Sequence, residues 1–561
     1  ADITRAARNL KPPLSQRIEL AATNATASDG TMTAMESDTP PAWATAPAPV
    51  QATARPPQGA SQPYAADADI PEWAMASAAP VASVRGGADD EAVLDMGLED
   101  LMNTKVVTAS KSKERAFDVP AAISVISNED LRRSGVTSVV EALRMVPGVQ
   151  VSQFASDGWA VSARGFGEQY GNKMLVLIDG RSVYTPTFSG VFWENVNLPL
   201  EDVDRIEVIR GPGATIWGAN AVNGVINIVT KDSRYTQGAY ATVGAGNHEK
   251  IFGAARSGGT FGDDGYYRLY TRYHKRGSFD AIDGTGQQQD WWDFLTGFRS
   301  DWSSGKRHKF TVHAELQKAG ADQVTSPFDS ETTEAYLRGK WTQALDDGST
   351  LTFSSYLDRR DFQSTTIHLE EVNADMDFNH QLRWWDRNEL IWGGGYRFTT
   401  DHYDPGPRLN FIPDSDQRHL FSAFVQNKFE ATEKLDLTLG SKFEHNDYTG
   451  FEVQPTAKFA YDTSQRSMVW GSVARAVRTP SRVEDSIRLT LQEFPANPPT
   501  APLPQQVVAF GNSGVEAEDL IAYELGYADL SNFSRAFRKW TGKSASEFRE
   551  GGPDPAPEVG P

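Results

Sequence analysis

Two stretches of this 561-residue sequence carry residue types that grip a ligand. Phe166-Gly167-Glu168-Gln169-Tyr170-Gly171-Asn172 and Tyr184 to Trp193 are dense in aromatics, glycine and polar groups, so each offers stacking faces and hydrogen bonds together. Such residues suit binding rather than bond breaking. No nucleophile–base pair, metal-ligand spacing or phosphate-cradling loop stands in the sequence, and the nine histidines are scattered. With no cysteine at all, disulfides, thiolate metal sites and cysteine nucleophiles are excluded. The same aromatics would also serve to pack one domain against another, and residue types alone leave both uses open.

The elements that would position these loops form a small α+β unit. Val161 to Gly165 and Met174 to Ile178 are strand candidates, the second an apolar run ending at the turn signal Asp179-Gly180. Ala121 to Ile126 is a further strand, followed by two helices with capping-box spacing at Ser127/Asp130 and Ser138/Glu141, the second stopped by Pro147-Gly148. From Asp202 to Lys231, two alternating runs around Ile206 and Ile226 flank a loop whose Gly211, Gly213, Gly218 and Gly224 suit tight turns and close backbone approach.

Residues 1–95, rich in Ala, Pro, Thr and Ser, cannot bury enough apolar surface to offset chain entropy, and are expected to form a disordered linker. The chain opens on Ala1 without a secretory signal, so a mature or incomplete product is expected. A net charge of -20 argues against nucleic acid as the main partner. No run of about 18 apolar residues exists, which excludes a helical membrane span, yet 14 Trp, 17 Tyr and 28 Phe suit the aromatic girdles of a membrane barrel. From Tyr235 onward, segments of about ten residues alternate in polarity, among them Tyr266 to Tyr273, Thr350 to Arg359, Ser422 to Phe429, Leu435 to Phe443 and Met468 to Ala474.

Several strings are similar to TonB-dependent outer-membrane receptors: I-E-V-I-R-G-P from Ile206, G-V-I-N-I-V-T-K from Gly224, R-G-F at Arg164 to Phe166, and L-I-D-G at Leu177 to Gly180. The resemblance implies a plug over 96–235 and a barrel over 236–518, with no enzymatic activity and no cofactor or metal. It implies import of a scarce nutrient such as an iron chelate or cobalamin across the Gram-negative outer membrane. T-K-V-V-T-A-S resembles the TonB box, so Thr104, Lys105, Val106, Val107, Thr108, Ala109 and Ser110 would be the handle that the TonB energy-transducing protein grips by strand addition. Substrate contacts would come from Phe154, Trp159, Arg164, Phe166, Gln169, Tyr170, Tyr184, Phe188 and Trp193. Family barrels have about 22 strands, and the roughly 280 positions available would give only about 13 each including loops. An incomplete antiparallel barrel of roughly a dozen strands is expected.

Past the barrel, Phe533, Phe537 and Trp540 recur at helical spacing, with Gly542 placed to end the helix. Leu520 to Arg549 resembles the last helix-turn-helix of AraC-type transcription regulators, which implies a remnant over 519–550 and a disordered tail over 551–561. In that alternative Ser531, Asn532, Arg535, Arg538 and Lys539 would meet DNA. Tyr523 to Tyr527 satisfies both strand and helix patterns, and a junction between receptor and regulator is expected there.

Overall fold

The computed structural model describes residues 105–529 apart from 109, 112–113, 166, 168–170, 280–288, 324–329, 365–366, 407, 465–466, 497–502 and 504. The first unit is built from β1 (Lys105–Val106), β2 (Glu114–Arg115), β3 (Ala122–Ser127), β4 (Val149–Gln153), β5 (Trp159–Ala163), β6 (Met174–Ile178), β7 (Arg181–Ser182), β8 (Val203–Arg210) and β9 (Gly224–Thr230). Its main sheet runs β3-β8-β9-β6-β7, with only the β6–β9 pair parallel. Helix α1 (Asn128–Ser134) starts at the expected capping box on Ser127 and Asp130 and ends at Gly135, left-handed at φ 72°. Helix α2 (Val139–Ala142) starts at Ser138, whose buried hydroxyl has no partner among the described residues; Glu141 instead accepts from Thr137, a departure from the expected box. Helix α3 (Ala214–Trp217) fills the glycine-rich loop. One apolar core, including Leu131, Leu143, Val176, Ile206 and Ile226, holds these layers together.

Fourteen strands follow in a single antiparallel sheet. They are β10 (Gly238–Gly244), β11 (Glu249–Phe261), β12 (Gly265–Arg276), β13 (Gln289–Ser304), β14 (His308–Gln323), β15 (Ser330–Ala344), β16 (Thr350–Ser364), β17 (His368–Trp385) and β18 (Asn388–Asp404). After β19 (Leu409–Phe411) come β20 (Ser415–Thr432), β21 (Leu435–Asn446), β22 (Gly450–Ser464), β23 (Ser467–Arg478) and, beyond helix α4 (Arg482–Ser486), β24 (Ile487–Phe494), β25 (Gln505–Phe510) and β26 (Glu518–Asp529). Strands β19, β24 and β25 form a separate three-stranded sheet. Among the described residues, β10 and β26 each pair on one side only.

Alternation decides which wall each side chain occupies. Leu269, Phe294, Leu316, Leu337 and Leu357 are exposed, while their neighbours Arg268, Tyr270, Asp293, Tyr336 and Tyr356 are buried. This is the apolar-out, polar-in pattern of a transmembrane barrel. Trp302, Phe310, Trp341, Phe353 and Phe378 stand directly opposite one another across five strands, the girdle that the aromatic content led us to expect. That row lies toward the short turns, such as 386–387 and 433–434; the opposite end carries the long connections 405–414 and 479–517. Short turns mark the periplasmic end and long loops the outer one.

The structure corrects the expectation of helical structure from residue 519. Leu520 to Asp529 lie in β26, whose twelve residues pair in unbroken register with β23, from Glu518 opposite Arg478 to Asp529 opposite Ser467. Twelve pairs of ladder contacts outweigh the helical preference of A-Y-E-L-G-Y, which fits either period. Ser531, Asn532, Arg535, Arg538 and Lys539 lie outside the described residues, as do the linker 1–95 and the tail 551–561.

Candidate functional site

At the short-turn end, the segment after β1 is clamped inside the protein. Glu207 stands mid-strand in β8 with its carboxylate fully buried. Its Oε2 accepts from the Val107 amide at 2.9 Å, the Thr108 amide at 2.8 Å and the Thr108 hydroxyl at 2.5 Å. Asn227 on the neighbouring strand donates to the same hydroxyl at 3.1 Å, and the Trp217 indole donates to the Thr108 carbonyl at 2.7 Å. Lys111 pairs with Asp377 of β17 at 2.9 Å and lies over the rings of Trp217 and Phe424. Strand β1 pairs with β2 of the same chain. Val106, Thr108 and Ser110 are consequently buried.

Polar bonds fasten the plug to the wall. Asp179, left-handed at φ 51° in the expected turn, accepts from the Thr230 amide and hydroxyl at 2.9 and 2.7 Å and from Arg299 of β13 at 3.2 Å. Burial alone would raise its carboxyl, but Arg299, Arg338 and His313 hold it at about 2. Asp202 pairs with Arg256, Glu444 accepts from the Ala219 amide at 2.9 Å, and Arg164 pairs with Glu524 of β26. Near the outer end, Thr185 and Thr187 donate to Glu371 at 2.9 and 3.0 Å, and the Arg482 and Val483 amides donate to the carbonyls of Pro186 and Thr187. The plug therefore has an apolar core of its own and meets the barrel through hydrogen bonds and ion pairs, together with small apolar contacts such as Ile216 with Ile391 and Phe424, and Ala214 and Val222 with Ala476. The polar part of this interface can exchange its partners for water, which suits a body that shifts within its sleeve.

Comparison with known proteins fits this architecture. Residues 115–225 match the family model "TonB-dependent Receptor Plug Domain", and residues 230–542 match "TonB dependent receptor-like, beta-barrel". The chain belongs to the TonB-dependent receptor family. Proteins of this family are outer-membrane β-barrels of Gram-negative bacteria, and that is this receptor's compartment. A vitamin B12 transporter of Vibrio vulnificus is 31% identical over 186 residues, 32% of this chain and 29% of that protein. An iron-regulated outer membrane virulence protein of Vibrio cholerae is 42% identical over 133 residues, 23% of this chain and 20% of that protein. The matched region thus spans less than a third of either relative. Among solved structures, the siderophore receptor PirA from Pseudomonas aeruginosa aligns with TM-score 0.57 at 19% identity, covering 72% of this chain and 71% of that one. The ferric enterobactin receptor from the same organism aligns with TM-score 0.60 at 19% identity, covering 76% and 70%. At these identities the structures bear on the fold alone.

Within this receptor the expected ligand groups divide by environment. Phe154 is half exposed at the tip between β4 and β5. Trp159 and Trp193 are buried, the former between the guanidinium groups of Arg144 and Arg276. Phe188 packs edge-on against Phe192 at 4.9 Å, and burial pushes the Tyr184 phenol above its ordinary pKa. Arg164 is spent on Glu524 and on the Arg210 carbonyl at 3.0 Å. In this state Trp159 and Trp193 serve the packing use that the sequence left open. Thr104, Ala109, Phe166, Gln169 and Tyr170 lie outside the described residues.

Sequence reasoning missed Glu207, Asp377 and Glu371, which meet their partners from 99, 266 and 186 residues away. The one available signal was an acid between Ile206 and Val208, in a strand apolar on both faces. The strand pairing also brings His368 beside Asp361, Glu370 and Asp404, a grouping that the spacing of the histidines in the sequence does not reveal.

Proposed function

We propose that this receptor binds a scarce nutrient, such as an iron chelate or cobalamin, at its outer face and imports it when the TonB energy-transducing protein pulls on Thr104 to Ser110. The observation that carries this reading is the clamp on Glu207. A strand-forming segment at the periplasmic end is folded away on one buried carboxylate, so a partner that recruits it by strand addition must first break a small, countable set of bonds. The relatives' names supply the ligand classes: vitamin B12, and siderophores such as enterobactin. The many hydrogen bonds and ion pairs among the plug–barrel contacts support displacement of the plug, and no covalent step is required.

Deleting Thr104 to Ser110 is the test. Energy-dependent uptake is expected to vanish while ligand binding to whole cells is retained. A deletant that still imports at the parental rate would overturn the assignment.

A further inference from the structure

The outer wall carries a separate polar arrangement at the end with the long connections. Strands β16, β17 and β18 pair so that Asp361 faces Glu370 and Glu370 faces His402, while His368 faces Asp404 in the next row. Their strand neighbours Phe362, Leu369 and Tyr403 belong to an inner cluster, so these five groups point outward. Leu357, exposed on the same face of β16, places them just beyond the apolar band.

Asp361, His368 and Glu370 each present one ligand atom, and the three atoms lie within 4.8 Å of one another. His368 Nδ1 is 2.6 Å from Asp404 and its Nε2 is 3.2 Å from Asp361. His368 is placed to donate from Nδ1 to Asp404 and from Nε2 to Asp361; an ion that displaces the Nε2 proton would meet that nitrogen's lone pair beside the Asp361 and Glu370 carboxylates. A carboxylate behind the imidazole is what metal-ligating histidines show: it fixes the tautomer and raises the basicity of the ligating nitrogen. Asp404 is itself steadied by His402 Nε2 at 3.2 Å, and His402 Nδ1 lies 2.7 Å from the Ser415 hydroxyl. Arg359 faces the group, 3.3 Å from Glu370 and 3.9 Å from Asp361. With the Nε2 proton given up, three carboxylates against one guanidinium leave an excess of two negative charges, which a divalent ion cancels.

We propose that Asp361, His368 and Glu370 form a binding site for a divalent ion of the zinc class, on the outer rim of the barrel and away from the plug. The imidazole nitrogen selects against calcium and magnesium, which prefer all-oxygen shells. Ligand atoms around tetrahedral zinc stand roughly 3.3 Å apart, so no pair need close by more than about 1.5 Å, within reach of carboxylate side-chain rotation. Glu370 exchanges Arg359 for the ion, and the ion ties β16 to β17 across their connection.

Calorimetric titration of the chelator-stripped full chain in detergent, with zinc, calcium and magnesium chlorides in turn, tests the site. One saturable equivalent of zinc is expected, bound at least tenfold more tightly than calcium. His368→Ala should weaken it tenfold or more. Asp404→Asn, which keeps all three ligands, should weaken it about tenfold to a hundredfold. The exposed His445 serves as control, and His445→Ala should leave binding unchanged. Heat-modifiable gel migration verifies that each variant is folded, and Asp404→Asn gives a reading independent of His368→Ala. No saturable zinc binding, equal affinity for calcium, or unchanged affinity in both site variants would overturn the proposal.

Discussion

Replacing Glu207 by alanine should free the segment that it clamps. Three donors end on one buried carboxylate oxygen at 2.9, 2.8 and 2.5 Å. A hydrogen bond to a charged group contributes about 1.5–3 kcal/mol, and three donors sharing one oxygen compete, so the set is worth about 4 kcal/mol. At about 1.4 kcal/mol per tenfold, the released fraction should rise by roughly three orders of magnitude. The chain has no cysteine, so Val106→Cys introduces a single, fully buried thiol as reporter. Maleimide labelling of that thiol should be slow with Glu207 present and roughly a thousandfold faster in the Glu207→Ala background. Glu207→Gln, which keeps an acceptor but loses the charge, should fall between. Thr108→Val removes the hydroxyl bonds to Glu207 and Asn227 without touching the β8 core, and should accelerate labelling by a smaller factor. Labelling rates agreeing within threefold across these backgrounds would refute the idea that Glu207 holds the segment.

Other perturbations follow from the plug. Asp179→Asn leaves Arg299 with Asp301 as its remaining carboxylate partner and should cost about 3 kcal/mol, read as a lower thermal midpoint of the detergent-solubilised protein. Because the folded Asp179 carboxyl sits near 2, below its unfolded value, its contribution should be full above about pH 4 and lost as pH falls toward 2; a variant melting identically to the parent at pH 7 contradicts this. Glu194 has the opposite sign. Burial, with Asp157 and Glu334 nearby and Arg360 opposing them, pushes its carboxyl up to about 8, so the folded state holds the proton more tightly than the unfolded chain. Its contribution is full at about pH 4 and is lost as pH rises toward 8; Glu194→Gln should flatten that part of the melting profile, and parallel profiles would refute it.

Much of the fold was legible because its signals are local. Met174 to Ile178 announced β6 by an unbroken apolar run, Asp179-Gly180 its turn, and Ser127 with Asp130 the start of α1. The five quoted barrel segments all lie within observed strands, since lipid on one side and polar groups on the other impose period two. Tyr523 to Tyr527 fits both periods, and only the pairing partner β23 decides between them. The site was harder to read. Glu207 looks like any charged residue until Val107 and Thr108 are folded onto it, and Trp159 reads as a ligand contact until Arg144 and Arg276 enclose it. His368 and His402 are 34 positions apart in the chain and become neighbours only through the registers of β16, β17 and β18.

The order of pairing in the fourteen-stranded sheet has a kinetic meaning. From β10 to β18, and again from β20 to β23, every strand pairs with the one before it, so the sheet can grow one hairpin at a time by short searches. The wider gap, from β23 to β26, holds β24 and β25, which form a small sheet with β19 from the connection between β18 and β20. Partners for the plug are spaced along that path: Arg256 on β11, Arg299 on β13, Glu371 and Asp377 on β17, Glu444 on β21 and Glu524 on β26. A body synthesised first and studded with matching charges can act as a mandrel, fixing the curvature of each hairpin as it arrives.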